Sequence, residues 1–148
     1  MELRYATIDD LETVCEMRRR QLIDEGLSPD VAIDDEMRSY FTEAFTEDDF
    51  VEYFMEDNGE VIATGAIVFF SFPSSFSDLK GINGYISNMY TDPRYRHQGI
   101  ATTILQALKA EAEKRGVKKI FISASKMGRG VYEHFGFADA GEWMELDI

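Results

Sequence analysis

The stretch Tyr90-Thr91-Asp92-Pro93-Arg94-Tyr95-Arg96-His97-Gln98-Gly99-Ile100-Ala101 constrains the fold more than any other part of the chain. It reads as the end of a strand, a tight turn and the first turn of a long helix. Pro93 has a fixed φ and no amide hydrogen, so ladder pairing stops there. Beyond the turn, Ile100, Ala101, Ile104, Leu105, Leu108 and Ala112 recur at helical spacing. Lys114 and Arg115 complement the dipole of the last turn, and Gly116 ends the helix. Val117 to Ser123 is then an apolar strand. A strand, a helix and a strand in that order predict parallel, right-handed pairing. The chain is therefore expected to be an α/β (α+β) domain with helices laid against a mixed sheet.

The start of that helix has a chemistry of its own. Its first N–H groups have no partner within the helix, and the dipole leaves a partial positive charge there. Gly99 and the small Ala101 keep side chains off those amides. Such a helix start can wrap a phosphate or pyrophosphate. Arg94, Arg96 and His97 place cationic or potentially cationic groups beside it. A lone glycine at a strand–helix turn is also compatible with a turn that binds nothing. Neither Gly-Lys-Ser/Thr nor Gly-x-Gly-x-x-Gly is present, so the phosphate loop and the dinucleotide fingerprint are excluded.

The other elements follow in order. Glu2 to Thr7 alternates like a strand. Ile8, Leu11, Val14, Cys15 and Leu22 mark a helix that starts near Asp9 and Asp10 and stops at Gly26. A loop with Ser28-Pro29 leads to a second helix, Asp34 to Phe45, with Met37, Tyr40, Phe41 and Phe45 on one side. Val51 to Glu56 and Val61 to Phe70 read as strands joined through Asn58-Gly59, a strong hairpin signal. Gly65 marks a candidate bulge. Ser71 to Gly81 is irregular, and its Phe and Ser residues can either line a pocket or fold back on the core. Asn83 to Thr91 is a strand, Gly128 to Phe135 a short helix, and Trp143 to Ile148 a final alternating strand.

Composition narrows the function. With 148 residues there is room for one domain, expected over the whole of 1–148. The formal net charge of −13 argues against nucleic acid as a partner. It is compatible with a cationic partner such as an amine, and equally with simple solubility. Between Asp34 and Glu60 there are eleven carboxylates and one base, Arg38. They form either a solvated face or a field that draws amines to a nearby cleft. No apolar run approaches about twenty residues, so no membrane partner is expected. Met1 to Tyr5 goes straight into strand-like alternation and does not read as a signal peptide. The single cysteine, Cys15, cannot form an internal disulfide, which suits the cytoplasm. It lies on the apolar stripe of the first helix, as a core residue would. No metal site is expected, and monomer and homodimer are both open.

Two motifs carry a resemblance. Arg96-His97-Gln98-Gly99-Ile100-Ala101 resembles the Arg/Gln-x-x-Gly-x-Gly/Ala signature of the GCN5-related N-acetyltransferases. Tyr85-Ile86-Ser87-Asn88-Met89-Tyr90-Thr91-Asp92-Pro93 looks like that family's fourth strand. Tyr132-Glu133-His134-Phe135-Gly136-Phe137 resembles its Tyr-Glu-x-x-Gly-Phe motif, one strand further on, as the family requires. By itself Tyr132 reads as a packing tyrosine, and Gly136 as a left-handed helix end. The close resemblance covers roughly Gly84 to Phe137; before that, only the order of elements is similar.

The resemblance implies a central sheet of about six to seven strands, splayed between the fourth and fifth, with about four helices around it. It implies acetyl-CoA as acyl donor. The pyrophosphate would sit on amides of His97, Gln98, Gly99, Ile100, Ala101 and Thr102, beside Arg96. The pantetheine arm would pair with backbone at Met89, Tyr90 and Thr91. An amide near Met89 would polarise the thioester carbonyl. Tyr132 would donate a proton to the departing thiolate, and an amine would attack directly. Tyr85 and Asn88 would face the acceptor. Many relatives carry Asn seven residues before this Tyr; in this chain Ser125 stands there and would still hydrogen-bond the cofactor, with a shorter reach. Some carry a carboxylate base early in the fourth strand; here that strand offers Tyr85, Ser87 and Asn88. A water chain to a surface carboxylate, His97 or His134 are the remaining candidates for the base. The missing carboxylate leaves a second reading, a non-catalytic acyl-CoA-binding or regulatory module.

Overall fold

A computed structural model describes the protein over Met1–Ile148. The strands are β1 (Glu2–Tyr5), β2 (Phe50–Asp57), β3 (Glu60–Ser71), β4 (Ile82–Thr91) and β5 (Ile120–Ile122). The helices are α1 (Leu11–Asp24), α2 (Asp34–Thr46), α3 (Ile100–Lys114) and α4 (Arg129–Phe135), with short 3-10 turns before α1 and α3. The sheet order is β1-β2-β3-β4-β5. All pairs are antiparallel except β4 with β5, which the α3 crossover makes parallel. Asn58 and Gly59 take φ of 50° and 81°, as a tight hairpin between twisted strands requires.

Side-chain alternation in the strands feeds two cores. On one face, Ile104, Leu105 and Leu108 of α3 bury against Ile62, Ile67 and Ile86. On the other, Val14 and Cys15 of α1 and Met37 and Phe41 of α2 bury against Phe50, Phe54 and Ala66. The sheet is thus the middle layer of three. Cys15 is buried as its place on the stripe predicts, and burial pushes its thiol up. No helix is long and apolar enough to cross a membrane.

The sheet has five strands, short of the six to seven expected. The stretch Trp143 to Ile148 forms no strand. Trp143 packs its ring on Phe72 and Phe121, at 6.2 and 5.2 Å, while Met144, Leu146 and Ile148 stay exposed. Alternation makes a strand only where a sheet edge offers both a ladder and an apolar surface. Here the edge strand β5 is three residues long, much less than Val117 to Ser123. The loop before β4 folds back in part: Phe72 meets Phe70 as well as Trp143.

One irregularity sets the geometry at the end of β4. Ala63 pairs with Thr91 and Thr64 with Tyr90, but Ala66 pairs with Ser87. Asn88 and Met89 therefore oppose Gly65 alone. The expected irregularity at Gly65 is present, with the extra residue on β4. Asn88 takes a left-handed φ of 55° to accommodate it. Gly65 is needed because a Cβ there would lie 2.6 Å from Ile104 Cγ2 and would collide with Met89 Sδ. Gly65→Ala is expected to cost about 2 kcal/mol through overpacking, read as a lower urea midpoint at unchanged m-value.

Candidate active site

The turn between β4 and α3 is built by charge pairing. The Asp92 carboxylate accepts from Arg94 N at 2.9 Å and from Arg94 Nη2 at 2.8 Å. Those bonds hold Asp92 down at about 2. Arg94 also reaches Glu60 at 3.1 Å, so its charge is used beneath the turn. Arg96 donates from Nη2 to both Asp24 oxygens at 2.8 Å, and from Nε to Thr91 O at 3.0 Å. It is a strut between the end of α1 and the end of β4. The two arginines predicted to flank an anion are thus already neutralised by carboxylates.

What remains open is backbone. His97 and Gly99 both have left-handed φ, 62° and 79°. Alternation of this kind turns successive N–H groups to one side, as an anion nest does. Gly99 is the cap of α3 and offers no side-chain cap bond. A Cβ on it would meet nothing within 4 Å, so the space above the helix start is clear.

A cleft runs from this helix start to α4. Met89, Tyr90, Thr91, Arg96, His97, Gly99, Ile100, Ala101 and Thr102 line one side, and Ser125 and Tyr132 the other. Gln98 belongs to the same turn but does not line the cleft, and neither do Tyr85 and Asn88. Tyr85 lies on β4 opposite Phe121 of β5, and Asn88 is buried within the sheet. His134 is exposed on α4, away from the cleft. No residue of the acidic stretch Asp34 to Glu60 lines it. The carboxylates that do are Asp24 and Glu25.

Tyr132 is buried, with its ring against Phe137 at 6.1 Å. Burial first, and the nearby Glu25 charge second, push its phenol up to about 12. Gly128 makes room for it: a Cβ there would lie 3.0 Å from the Tyr132 hydroxyl. Ser125 accepts from Gly128 N at 3.1 Å, so its hydroxyl also shapes the entry to α4.

Sequence reasoning misses the end of α1. Gln21, Asp24 and Glu25 all line the cleft. Gln21 accepts from Arg18 at 2.9 Å and donates to Glu25 Oε1 at 3.1 Å. One signal is present: Gln21 continues the buried stripe of Val14 and Met17, and a polar residue on a core stripe calls for a partner.

A family model described as the acetyltransferase (GNAT) family matches residues 11–137. The structure is similar to that of a predicted acetyltransferase with acetyl-CoA from Clostridium acetobutylicum, with a TM-score of 0.95 and 44% identity. That similarity covers 99% of this chain and 95% of the other. A GCN5-related N-acetyltransferase from Ralstonia eutropha JMP134 is also similar, with a TM-score of 0.89, 28% identity and 99% and 97% coverage. Among curated proteins, an uncharacterized N-acetyltransferase of Bacillus subtilis (strain 168), YsnE, is 33% identical over 79 residues. That match spans 46% of this chain and about half, 52%, of the relative. The open α3 start, the buried Tyr132 and the match over residues 11–137 agree: the chain belongs to the GNAT family of acetyltransferases.

Proposed function

We propose that this acetyltransferase moves the acetyl group of acetyl-CoA directly to a primary amine. The observation that carries the reading is that the open start of α3 and Tyr132 share one cleft. The pyrophosphate rests on amides of His97 to Thr102. The pantetheine arm runs along Met89 to Thr91, in the splay where β4 continues without β5. Pairing of those strands is limited to Gly84–Ile86 with Ile120–Ile122, which supports that path. A backbone amide at the bulge polarises the thioester carbonyl.

The amine nitrogen attacks the carbonyl carbon and the carbon–sulfur bond breaks; Tyr132 gives its proton to the departing thiolate, and the proton shed by the new amide nitrogen returns the tyrosine to its neutral form. A phenol at about 12 stays protonated through the neutral range. It is a weaker acid than a free thiol at about 8.5. Its contribution is therefore a hydrogen bond that strengthens as charge builds on the sulfur, which favours the transition state over the ground state. The acceptor enters as an ammonium with a pKa of about 10.4 and loses a proton before attack. Glu25, held by Gln21 rather than by a cation, is the cleft carboxylate available to receive it. With Arg96 matched by Asp24, Glu25 gives the cleft a negative bias that favours a cationic amine.

Acetyl-CoA at about a hundredfold over its Kd should stabilise the fold by about 2.7 kcal/mol, seen as a raised Tm. Thiol release with polyamines, aminoglycosides, amino acids and peptide amines should reveal the acceptor class, with acetylated product detected directly. Cofactor binding without turnover on any of them would leave a binding module in place of the enzyme. Tyr132→Phe should lower kcat about a hundredfold and keep the thermal shift; full activity in that variant removes the tyrosine from the mechanism. In an ultraviolet titration, the difference between wild type and Tyr132→Phe should show a phenol ionising near about 12.

A further inference from the structure

A buried carboxylate lies one hydrogen bond from the β4 bulge, and no step of the proposed acetyl transfer uses it. Glu52 on β2 has no exposed surface. Its Oε1 accepts from Thr64 Oγ1, and its Oε2 accepts from Asn88 Nδ2 at 3.3 Å. Asn88 is the left-handed residue of the bulge, and its Oδ1 accepts from Ser87 Oγ at 3.2 Å. The next residue, Met89, lines the cleft. β4 itself has no carboxylate between Ile82 and Thr91. The acid that meets this strand comes from β2.

We infer that Glu52 is a positioning residue for acetyl transfer: through Asn88 it fixes the bulge that sets where Met89 presents its backbone to the acyl donor. The inference rests on the reading of the cleft as the acetyl-CoA site.

The network is complete in either protonation state. Ionised, Glu52 accepts from both Thr64 and Asn88. Neutral, it donates from Oε1 to Thr64 Oγ1, and the Thr64 hydroxyl turns to Tyr53 O at 3.3 Å. The bond to Asn88 persists in both states but is charge-assisted only in the first, where it is stronger. Several groups decide the balance. Burial pushes the carboxyl up to about 7, against the bonds from Thr64 and Asn88 and the charge of Arg18 on α1, while Asp10 adds to the rise. Cys15 of α1 senses the same carboxylate. From α2 the shared core receives apolar Met37 and Phe41, and β1 is followed by Ala6, whose N–H donates to Glu52 O.

The sign of the effect on stability is opposite to its effect on positioning. A carboxyl raised from 4.5 to about 7 binds more protons in the folded than in the unfolded chain across that window. Stability from this group is therefore present at low pH and falls as pH rises through it. Glu52→Gln keeps both hydrogen bonds in a neutral form, so it should be at least as stable as wild type at high pH. Lost activity there cannot then be ascribed to unfolding.

The test compares wild type, Glu52→Gln and Thr64→Val in steady-state kinetics across pH. The amide signal of Met89 is followed by NMR in parallel, with acetyl-CoA absent and no acceptor needed. Wild-type kcat should fall as pH drops through about 7. Glu52→Gln should lie about tenfold below wild type at high pH, the difference between a charged and a neutral hydrogen bond. The two should converge at low pH, with KM for acetyl-CoA little changed. The Met89 amide should titrate near about 7 in wild type and stay flat in Glu52→Gln. In Thr64→Val the ionised form loses a donor, so both midpoints should move up. A Met89 amide that does not titrate, or titrates alike in Glu52→Gln, overturns the inference whatever the acceptor. So does an activity ratio that is constant across pH, which marks a merely structural residue. If the amide titrates as expected and no amine is acetylated, the link from Glu52 to the bulge stands and the reading of the reaction fails.

Discussion

The space vacated by one missing Cβ holds this structure in register. Gly65 lets Met89 and Ile104 occupy volume that any other residue would fill. That close approach brings α3 down on β3 while β4 bulges by one residue across from it. Both consequences meet at the same end of the sheet. α3 begins where β4 ends, so its unpaired amides open onto the backbone that leaves the bulge. A larger residue at position 65 would lift the helix or push out Met89, and the two halves of the cleft would separate. The packing is therefore upstream of the chemistry, and the site inherits its geometry from a contact in the core.

Charge then sets the terms on which the proposed pyrophosphate site would work. A chain with a net charge of −13 holds a pyrophosphate, in the function proposed, against a strongly negative background. The arginines in the turn do not offset that background at the site, because Arg94 is bound by Asp92 and Glu60 and Arg96 by Asp24. Their work is to hold the turn. The attraction left for an anion comes from the backbone: the left-handed residues His97 and Gly99, and the dipole of a fifteen-residue helix. Fixed peptide dipoles need no reorganisation when a ligand arrives, whereas a free arginine side chain would have to be ordered.

The strand–helix–strand unit is legible in the sequence because three independent signals coincide there: Pro93, Gly99 and the apolar repeat from Ile100 to Ala112. The hairpin is equally clear from Asn58-Gly59. The final strand is not realised because alternation reports a preference for a pleated, half-buried surface, and the three-residue edge of β5 supplies little of one. Asn88, expected to face the acceptor, is turned into the sheet instead. That is not readable locally, since the bulge that turns it depends on Gly65 and Ile104, both distant in sequence. Glu52 is hidden for a related reason. Among eleven carboxylates between Asp34 and Glu60 it looks like part of a solvated run, although on β2 it shares the face of Phe50 and Phe54, and Val51, Tyr53 and Met55 bury the other face. Period two along the strand tells only which neighbours it shares a face with; that both faces are covered, and what Glu52 meets there, is visible only in the fold.

Burial acts on two ionisable groups here and leaves them in different conditions. It raises the Tyr132 phenol to about 12, far from neutrality, so the hydroxyl keeps its proton through the neutral range. It raises the Glu52 carboxyl to about 7, where small changes of pH alter its charge. The two lie on opposite sides of the sheet, Tyr132 with the α3 core and Glu52 toward α1 and α2. At the bulge the two sides are tied to adjacent residues of one strand. Asn88 sends its side chain to Glu52, and Met89, the next residue, packs on the α3 side and borders the cleft. An extra residue in a strand reverses the facing of everything after it. This one therefore does more than bend β4: it couples an acid buried under one layer of helices to a backbone position that serves the other.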